Sequence, residues 1–182
     1  MIQIGETIYN RVTGETVTFL ETNSEYSRHH FMLPPHANGV FLHLHTSYTE
    51  EFRVLEGQLN IIAGDPKKPR KLQAGQSQLV NIGMLHRFWN ASDKPVIFEV
   101  EVRPSSRLGE TLELLFSLAN AGQVKADGSP SNVFDLAILG QLSESYLPGL
   151  PVWLQRSLFA VIAGIARIIG HQPYRHHRQK MI

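Results

Sequence analysis

The sequence contains no cysteine among its 182 residues. This absence excludes a disulfide scaffold, a cysteine-ligated zinc site and a thiol nucleophile. Any metal site must therefore use histidine, aspartate, glutamate or backbone oxygen as ligands. The hydrophobic fraction of 42% and the charged fraction of 18% are sufficient for a buried core and exclude wholesale disorder. A chain of this length predicts one domain, or one domain with an appendage.

Acidic residues are missing from the last part of the chain. Residues 145–182 hold five Lys or Arg residues and no Asp or Glu, whereas residues 1–144 hold 12 basic and all 16 acidic residues. The acidic main body argues against a nucleic-acid-binding surface there, so we expect no nucleic acid partner. The sequence also lacks the pattern of a secretory signal and any apolar run of roughly 20 residues that could span a membrane. We therefore expect a cytoplasmic protein.

Residues 6–103 have the pattern of a β-structure. Short runs rich in Val, Ile, Thr, Phe and Tyr recur there, separated by Gly, Pro, Asn and Asp at the turns. Many short strands at regular spacing are typical of an all-β sandwich or barrel. No segment of this region has a helical period long enough to indicate a β-α-β unit. We predict a β-domain over residues 1–105.

The pattern becomes helical after Ser106. Apolar residues three and four apart predict a helix over 107–121, and two further helices are expected over about 132–145 and 152–169. Ser106 and Gly122 are suited to begin and end the first helix, and Gly170 to end the third. We therefore predict that residues 106–182 form a helical C-terminal extension that packs on the β-domain or on a partner subunit.

Four side chains of metal-binding type stand close together in the expected sheet. His43 and His45 are two residues apart on a predicted strand, so their imidazoles project from the same face. Glu50 follows a short turn, and an antiparallel neighbouring strand would carry its carboxylate alongside. His86 comes from a distant strand, just after the Gly83 turn. Three imidazoles and one carboxylate suit one divalent transition metal (Fe, Mn, Ni, Cu or Zn), and open positions on the ion would be typical of a catalytic site.

The residues around these four resemble the paired motifs of the cupin superfamily. The first motif, G-x5-H-x-H-x3–4-E-x6-G, is matched at His43, His45, Glu50 and Gly57. The second motif, G-x5-P-x-G-x2-H-x3-N, is matched at Gly75, Gly83, His86 and Asn90. Two positions depart from the pattern, because only three residues separate Gly39 from His43 and because Asn81 stands in the place of proline.

This resemblance covers about residues 6–103 and implies a fold, a ligand set and a partner. The implied fold is all-β, the double-stranded β-helix or cupin jelly-roll barrel, here followed by a C-terminal α-helical appendage. The implied metal ligands are His43, His45, Glu50 and His86. The wider pattern is similar to small single-domain bacterial cupin-domain proteins, which are commonly homodimers. The helical extension matches no cupin motif.

Strand alternation predicts a set of inward side chains beside the metal: His29, Phe41, Phe52, Phe88 and Phe98. The aromatic rings are expected either to form the core or to wall a pocket for a hydrophobic or aromatic ligand. His29 is a candidate for a pocket acid or base, or for a group that orients a ligand, and a surface position is the alternative.

The third predicted helix has one narrow stripe and one broad apolar side. Arg156, Ala160, Ala163 and Arg167 are spaced four, three and four residues apart and share the stripe. The opposite side carries Trp153, Leu154, Leu158, Phe159, Ile162, Ile165 and Ile169. Such a side must be buried. It would pack on the β-domain or a second subunit, or lie in a membrane interface, where the basic residues of 152–182 would meet anionic lipid.

The sequence favours a metal-dependent cupin enzyme that acts on a small organic substrate by oxygenase, isomerase or lyase chemistry. One alternative is a non-catalytic module that binds or senses a small molecule. The other is a peripheral membrane or assembly protein that acts through its helical extension. A fold does not choose among these functions by itself.

Overall fold

The computed structural model describes residues 3–125 and 128–173. The basic residues Arg175, Arg178 and Lys180 of the predicted extension lie outside the described residues. The elements follow one another in chain order as β1 (Thr7–Tyr9), β2 (Thr16–Thr22), β3 (Ser27–Leu33), β4 (Leu44–His45), β5 (Thr49–Glu56), β6 (Gln58–Ala63), β7 (Arg70–Gln73), β8 (Ser77–Val80), β9 (His86–Trp89), β10 (Val96–Arg103), α1 (Leu108–Asn120), α2 (Val133–Ser143), β11 (Ser145–Tyr146) and α3 (Val152–Ile168).

The strands form antiparallel sheets whose inward side chains meet in one core. The largest sheet has the order β1-β2-β3-β10-β5-β8, a second has the order β7-β6-β9, and β11 pairs with β4. Paired backbone hydrogen bonds between His43 and His86 connect the segment just before β4 to β9. This arrangement confirms the predicted fold class, an all-β cupin jelly roll followed by C-terminal helices.

Strand alternation decides which side chains enter the core. In β10, Val96, Phe98, Val100 and Val102 are buried and alternate with partly exposed residues. The neighbouring strand β3 alternates in the same way and turns Ser27, His29, Phe31 and Leu33 inward. Because successive residues of a strand face opposite sides, a polar residue in the inward series is carried into the interior with its apolar neighbours.

Helix α1 packs against the first part of the β-domain. It begins after Ser106, whose hydroxyl accepts a hydrogen bond from the Leu108 amide at 3.2 Å. It ends at Asn120, and Gly122 shortly after it has a φ of +71°, which glycine adopts readily. The Asn120 amide donates to the Tyr9 carbonyl at 2.7 Å, which ties the end of α1 to β1. Phe116 enters the same apolar core as the strands.

Helices α2 and α3 pack closely through small residues. A Cβ atom on Gly140 of α2 would lie 2.6 Å from the Phe159 ring of α3, so this ring packs directly on the backbone of α2. Ala163 and Ala166 of α3 are fully buried. At the end of α3, His171 lies 2.8 Å from the buried Asp135 of α2. Small residues therefore determine which side of α3 faces the protein.

The exposure of α3 differs from the expectation that its broad apolar side is buried. Trp153 is 68% exposed, Leu158 49%, Ile165 46% and Ile169 61%, while Leu154, Phe159 and Ile162 are half-buried. The narrow stripe does not face inward as a whole either, because Arg156, Ala160 and Arg167 are exposed. The buried residues of α3 are Gln155, Ala163 and Ala166. Among the residues that the structure describes, no helix has the length and apolar character needed to cross a bilayer.

Candidate metal centre

Three histidines converge at the junction between β4 and β9. His43 lies just before β4, His45 is in β4, and His86 is the first residue of β9. The backbones of His43 and His86 exchange two hydrogen bonds, of 3.0 and 2.8 Å, which holds the two rings side by side. The Nε2 atoms of His43 and His45 are 3.1 Å apart. All three residues are buried, and each offers a ring nitrogen within 4.8 Å of the other two.

Glu50 joins this cluster from β5. Alternation along this strand turns Glu50, Phe52 and Val54 inward. One carboxylate oxygen of Glu50 lies 3.0 Å from His86 Nε2 and 3.7 Å from His45 Nε2. The structure therefore brings together the four residues that the sequence motifs single out, with three nitrogen donors and one oxygen donor around a common point.

The hydrogen bonds of two rings determine their tautomers. The Nδ1 atom of His43 lies 2.8 Å from the Phe41 carbonyl, and that of His86 lies 3.1 Å from the Met84 carbonyl. Because a carbonyl only accepts, each Nδ1 must carry a hydrogen, and the Nε2 atom of each ring is directed at the cluster. His86 Nε2 is buried, and a Glu50 carboxylate oxygen lies 3.0 Å from it. Three ring nitrogens and a carboxylate oxygen that meet in one buried site form a donor set that fits a metal ion.

The protonation states also fit a metal. Burial lowers the pKa of His43 to about 3, and the neighbouring rings of His86 and His45 contribute to the shift. Burial lowers the pKa of His45 as well, although Glu50 opposes the change. Burial alone would raise the pKa of Glu50, but the surrounding imidazoles outweigh it and lower the pKa to about 2. At neutral pH the Glu50 carboxylate is charged and the His43 and His45 rings are neutral, which are the states in which these side chains bind metals.

Tyr48 covers the cluster and links it to the helical extension. Its ring stacks on His45 with the ring centroids 4.2 Å apart, and its hydroxyl oxygen lies 3.3 Å from His45 Nε2. The same hydroxyl donates to the Ser143 carbonyl at the end of α2, at 2.7 Å. Burial raises the pKa of Tyr48 above its usual range, and the negative charge of Glu50 raises it further, so the phenol keeps its proton. Sequence reasoning missed Tyr48, because it lies in the turn between His45 and Glu50, where strand alternation gives no direction.

His29 points inward, as strand alternation predicts. It is 1% exposed, its Nε2 is hydrogen-bonded to the Ser27 hydroxyl at 3.2 Å, and its Nδ1 has no partner. Its ring stands edge-on to Phe19 at 5.4 Å. Burial lowers its pKa to about 4, with Glu50 opposing the shift, so the ring is neutral at pH 7. It stands apart from the three converging histidines.

The predicted aromatic residues separate into two groups. Phe52, Phe88 and Phe98 are buried, and their ring centroids lie 5.3–6.3 Å from one another, so they form a packed aromatic core. Phe41 does not share this interior and is 58% exposed. The prediction that Phe41 faces inward is wrong. Phe41 lies before β4, in a segment where strand alternation does not apply. Its ring instead contacts His43 from outside, with the ring centroids 5.4 Å apart.

A cavity of about 230 Å³ lies beside Tyr48, between the β-domain and the helices. Its wall combines the turn after β4, the start of α1 and the end of α2. Most of the lining residues carry a polar side chain: Ser47, Tyr48, Pro104, Ser105, Ser106, Arg107, Gln141, Leu142 and Glu144. These residues come from three separate stretches of the chain, and none of them is at a defined position of the two motifs, so the sequence offers no signal for this cavity.

Comparisons with known proteins find similarity in the β-domain. The family model of the cupin domain matches residues 29–102. The solved structures similar to this chain include TT1209 from Thermus thermophilus, with 19% identity over 54% of this chain and 90% of that chain and a TM-score of 0.48. A RmlC-like cupin from Shewanella frigidimarina is similar at 20% identity, over 55% of this chain and 84% of that chain, with a TM-score of 0.48.

A third similar structure is a sugar phosphate isomerase from Silicibacter pomeroyi that belongs to a cupin superfamily. It has 23% identity, covering 56% of this chain and 69% of that chain, and its TM-score is 0.46. No curated protein matches the chain.

Proposed function

This chain is a member of the cupin superfamily through residues 29–102, and we propose that it is a metal-dependent enzyme that acts on a small, polar organic substrate. The observation that carries this proposal is the buried convergence of the His43, His45 and His86 rings on the Glu50 carboxylate. A fold built only for stability gains little from three imidazoles and a carboxylate at its centre, because burying polar and charged groups costs free energy.

The proposed roles of the four residues follow from their donors. His43, His45 and His86 would hold a divalent transition metal (Fe, Mn, Ni, Cu or Zn) through ring nitrogens, and Glu50 through a carboxylate oxygen. A metal bound in this way supplies Lewis-acid or redox chemistry. The Phe41 and Met84 carbonyls orient two of the rings by accepting their Nδ1 hydrogens.

The proposed substrate lies in the cavity beside Tyr48. The lining hydroxyls, the Gln141 amide and Arg107 favour a polar molecule, and a volume of about 230 Å³ limits its size. Because Phe52, Phe88 and Phe98 are packed against one another, they leave no aromatic-walled pocket, and a hydrophobic substrate is less favoured. Tyr48 lies between the cavity and His45, and its phenol group would donate a proton or a hydrogen bond to the substrate. We place this enzyme in the cytoplasm and expect a homodimer, as the resemblance implies.

Metal analysis of the untagged protein tests the proposal. We expect one equivalent of a transition metal per chain, and we expect Glu50→Gln and His86→Ala each to lower the affinity at least roughly 10–100-fold, the range seen even for outer-shell changes. His30→Ala is the matched control, because His30 lies in β3 on the outward face. A protein that copurifies with no transition metal and takes up none in titration would contradict the proposal.

A non-catalytic ligand-binding module is the second candidate. The observation that favours it is the enclosure of the cluster, since His43, His45, Glu50 and His86 are each at most 7% exposed and Tyr48 covers them. A metal-loaded protein that binds small polar molecules in calorimetry but turns over none of them would favour this function. Turnover that is lost on chelation and in Glu50→Gln would favour the enzyme.

A further inference from the structure

We propose that the protein docks onto an anionic lipid bilayer through the exposed apolar side of α3. The docking face consists of six side chains that are 46–86% exposed: Trp153, Leu158, Val161, Ile165, Ile168 and Ile169. Leu158, Val161, Ile165 and Ile168 follow one another three and four residues apart, which aligns them along one side of the helix. Isolated exposed apolar residues are ordinary, but a continuous row of this kind marks an interaction surface.

The docking face is held outward by the contacts on the opposite side of α3. Ala163 and Ala166 are fully buried, and Phe159 lies against Gly140 of α2. Arg167 donates to the Gln141 side chain at 3.0 Å, and Arg156 donates to the Thr46 hydroxyl at 3.0 Å. The helix cannot rotate to bury its apolar row without breaking these contacts. An external surface must therefore cover the row.

The charge of the sequence segment that contains α3 favours an anionic bilayer as that surface. Helix α3 contains no acidic residue, and residues 145–182 carry five basic residues and no acid. A segment whose helix exposes Trp and Ile and whose own charged residues are all basic is suited to lie in the interface of a membrane with anionic headgroups. Trp153, at the start of α3, is of the residue type that is enriched at such interfaces.

A second copy of the chain fits the docking face less well. A two-fold dimer through this face would bring two purely basic segments together, and like charges across an interface oppose association. The helix also lies along the protein surface and is too short and insufficiently apolar to cross the bilayer. The geometry points to peripheral docking.

Vesicle cosedimentation of the full chain tests this inference. We expect binding to vesicles of phosphatidylcholine with phosphatidylglycerol, weaker binding to phosphatidylcholine alone, and weaker binding as salt is raised. The sequence has two tryptophans, so the Trp153→Phe variant shows which part of the tryptophan fluorescence comes from the docking face. Emission should shift to the blue with anionic vesicles in the native chain, and this shift should be lost in Trp153→Phe.

Matched substitutions locate the binding surface. Val161→Asp should lower the vesicle partition coefficient about tenfold or more, because it removes an apolar side chain and places a charge at the interface. Val12→Asp is the control: Val12 is 54% exposed in the turn between β1 and β2, against 61% for Val161. Val12→Asp should bind as the native chain does, and near-native thermal unfolding should show that both variants are folded.

Three results would overturn the inference. They are no binding of the full chain to anionic vesicles, equal loss of binding in both variants, and unchanged binding in Val161→Asp. A dimer that dissociates in Val161→Asp, without vesicle binding by the native chain, would assign the docking face to a second copy. These measurements do not depend on metal or turnover, so they leave the proposed enzyme activity to its own tests.

Discussion

His29 illustrates how a single residue acquires its properties from its position in a strand. It follows Ser27 and precedes Phe31 in the inward series of β3, so alternation carries an ionisable ring into the apolar interior. The interior disfavours the charged imidazolium, which is why the pKa of His29 falls to about 4. The residues of the candidate metal centre obey the same rule.

The depressed pKa of His29 predicts a stability that depends on pH. The unfolded chain binds a proton at His29 below about pH 6.5, whereas the folded chain does so only near pH 4, so acid favours unfolding between these values. In urea unfolding with chelator present, the free energy of unfolding should fall as the pH is lowered through this window. His29→Gln should reduce that slope by about 1.4 kcal/mol per pH unit. An unchanged slope would show that His29 does not titrate in this way.

Two turns show how an element can keep its geometry when a motif is altered. Gly39 has a φ of +59°, and a Cβ atom there would lie 1.9 Å from the Phe88 carbonyl oxygen. Glycine at this shifted position therefore allows the segment before β4 to approach β9, which carries His86. In the second motif Asn81 replaces proline, but its carbonyl accepts the Met84 amide at 3.0 Å and Gly83 supplies the positive φ. In both turns, backbone contacts therefore hold the histidine of the motif in position.

The close packing of α2 on α3 predicts opposite effects for two glycines. Gly140→Ala places a methyl group 2.6 Å from the Phe159 ring and should destabilise the protein by about 1–3 kcal/mol, because the helices must move apart. Gly164→Ala is the control within α3, since a Cβ atom there meets nothing within 4 Å. It should stabilise the protein by up to ~1 kcal/mol through helix propensity. Urea unfolding of both variants measures the difference, and a neutral Gly140→Ala would contradict the close contact.

At the scale of the whole molecule, the helical extension takes part in the candidate metal centre. Strand β11 pairs with β4, so Ser145 lies opposite His45 in the sheet. Tyr48 donates to Ser143, the Ser47 hydroxyl donates to the Glu144 carboxylate, and Arg156 reaches Thr46. The turn that separates His45 from Glu50 is thus held by residues more than ninety positions later in the chain.

Tyr48→Phe tests this connection. The substitution keeps the ring that stacks on His45 but leaves the buried Ser143 carbonyl without its donor, at a cost of about 1–3 kcal/mol in the free energy of unfolding. Metal content should remain that of the native protein, because no ligand is changed. Catalytic turnover, once a substrate is identified, should fall if the phenol proton is used. The exposed Tyr9→Phe, which is 39% exposed in β1, is the control and should affect neither quantity.

The sequence by itself determined the all-β fold and the four residues that meet at the candidate metal centre. These depend on short-range rules: alternation along a strand, a two-residue spacing between histidines, and turns that require glycine. Only the tertiary structure decided the cavity wall, the outward position of Phe41 and the buried side of α3. Those features depend on how distant surfaces fit together, through contacts such as Gly140 against Phe159 and Tyr48 against Ser143, and periodicity in one element carries no information about the shape of its partner.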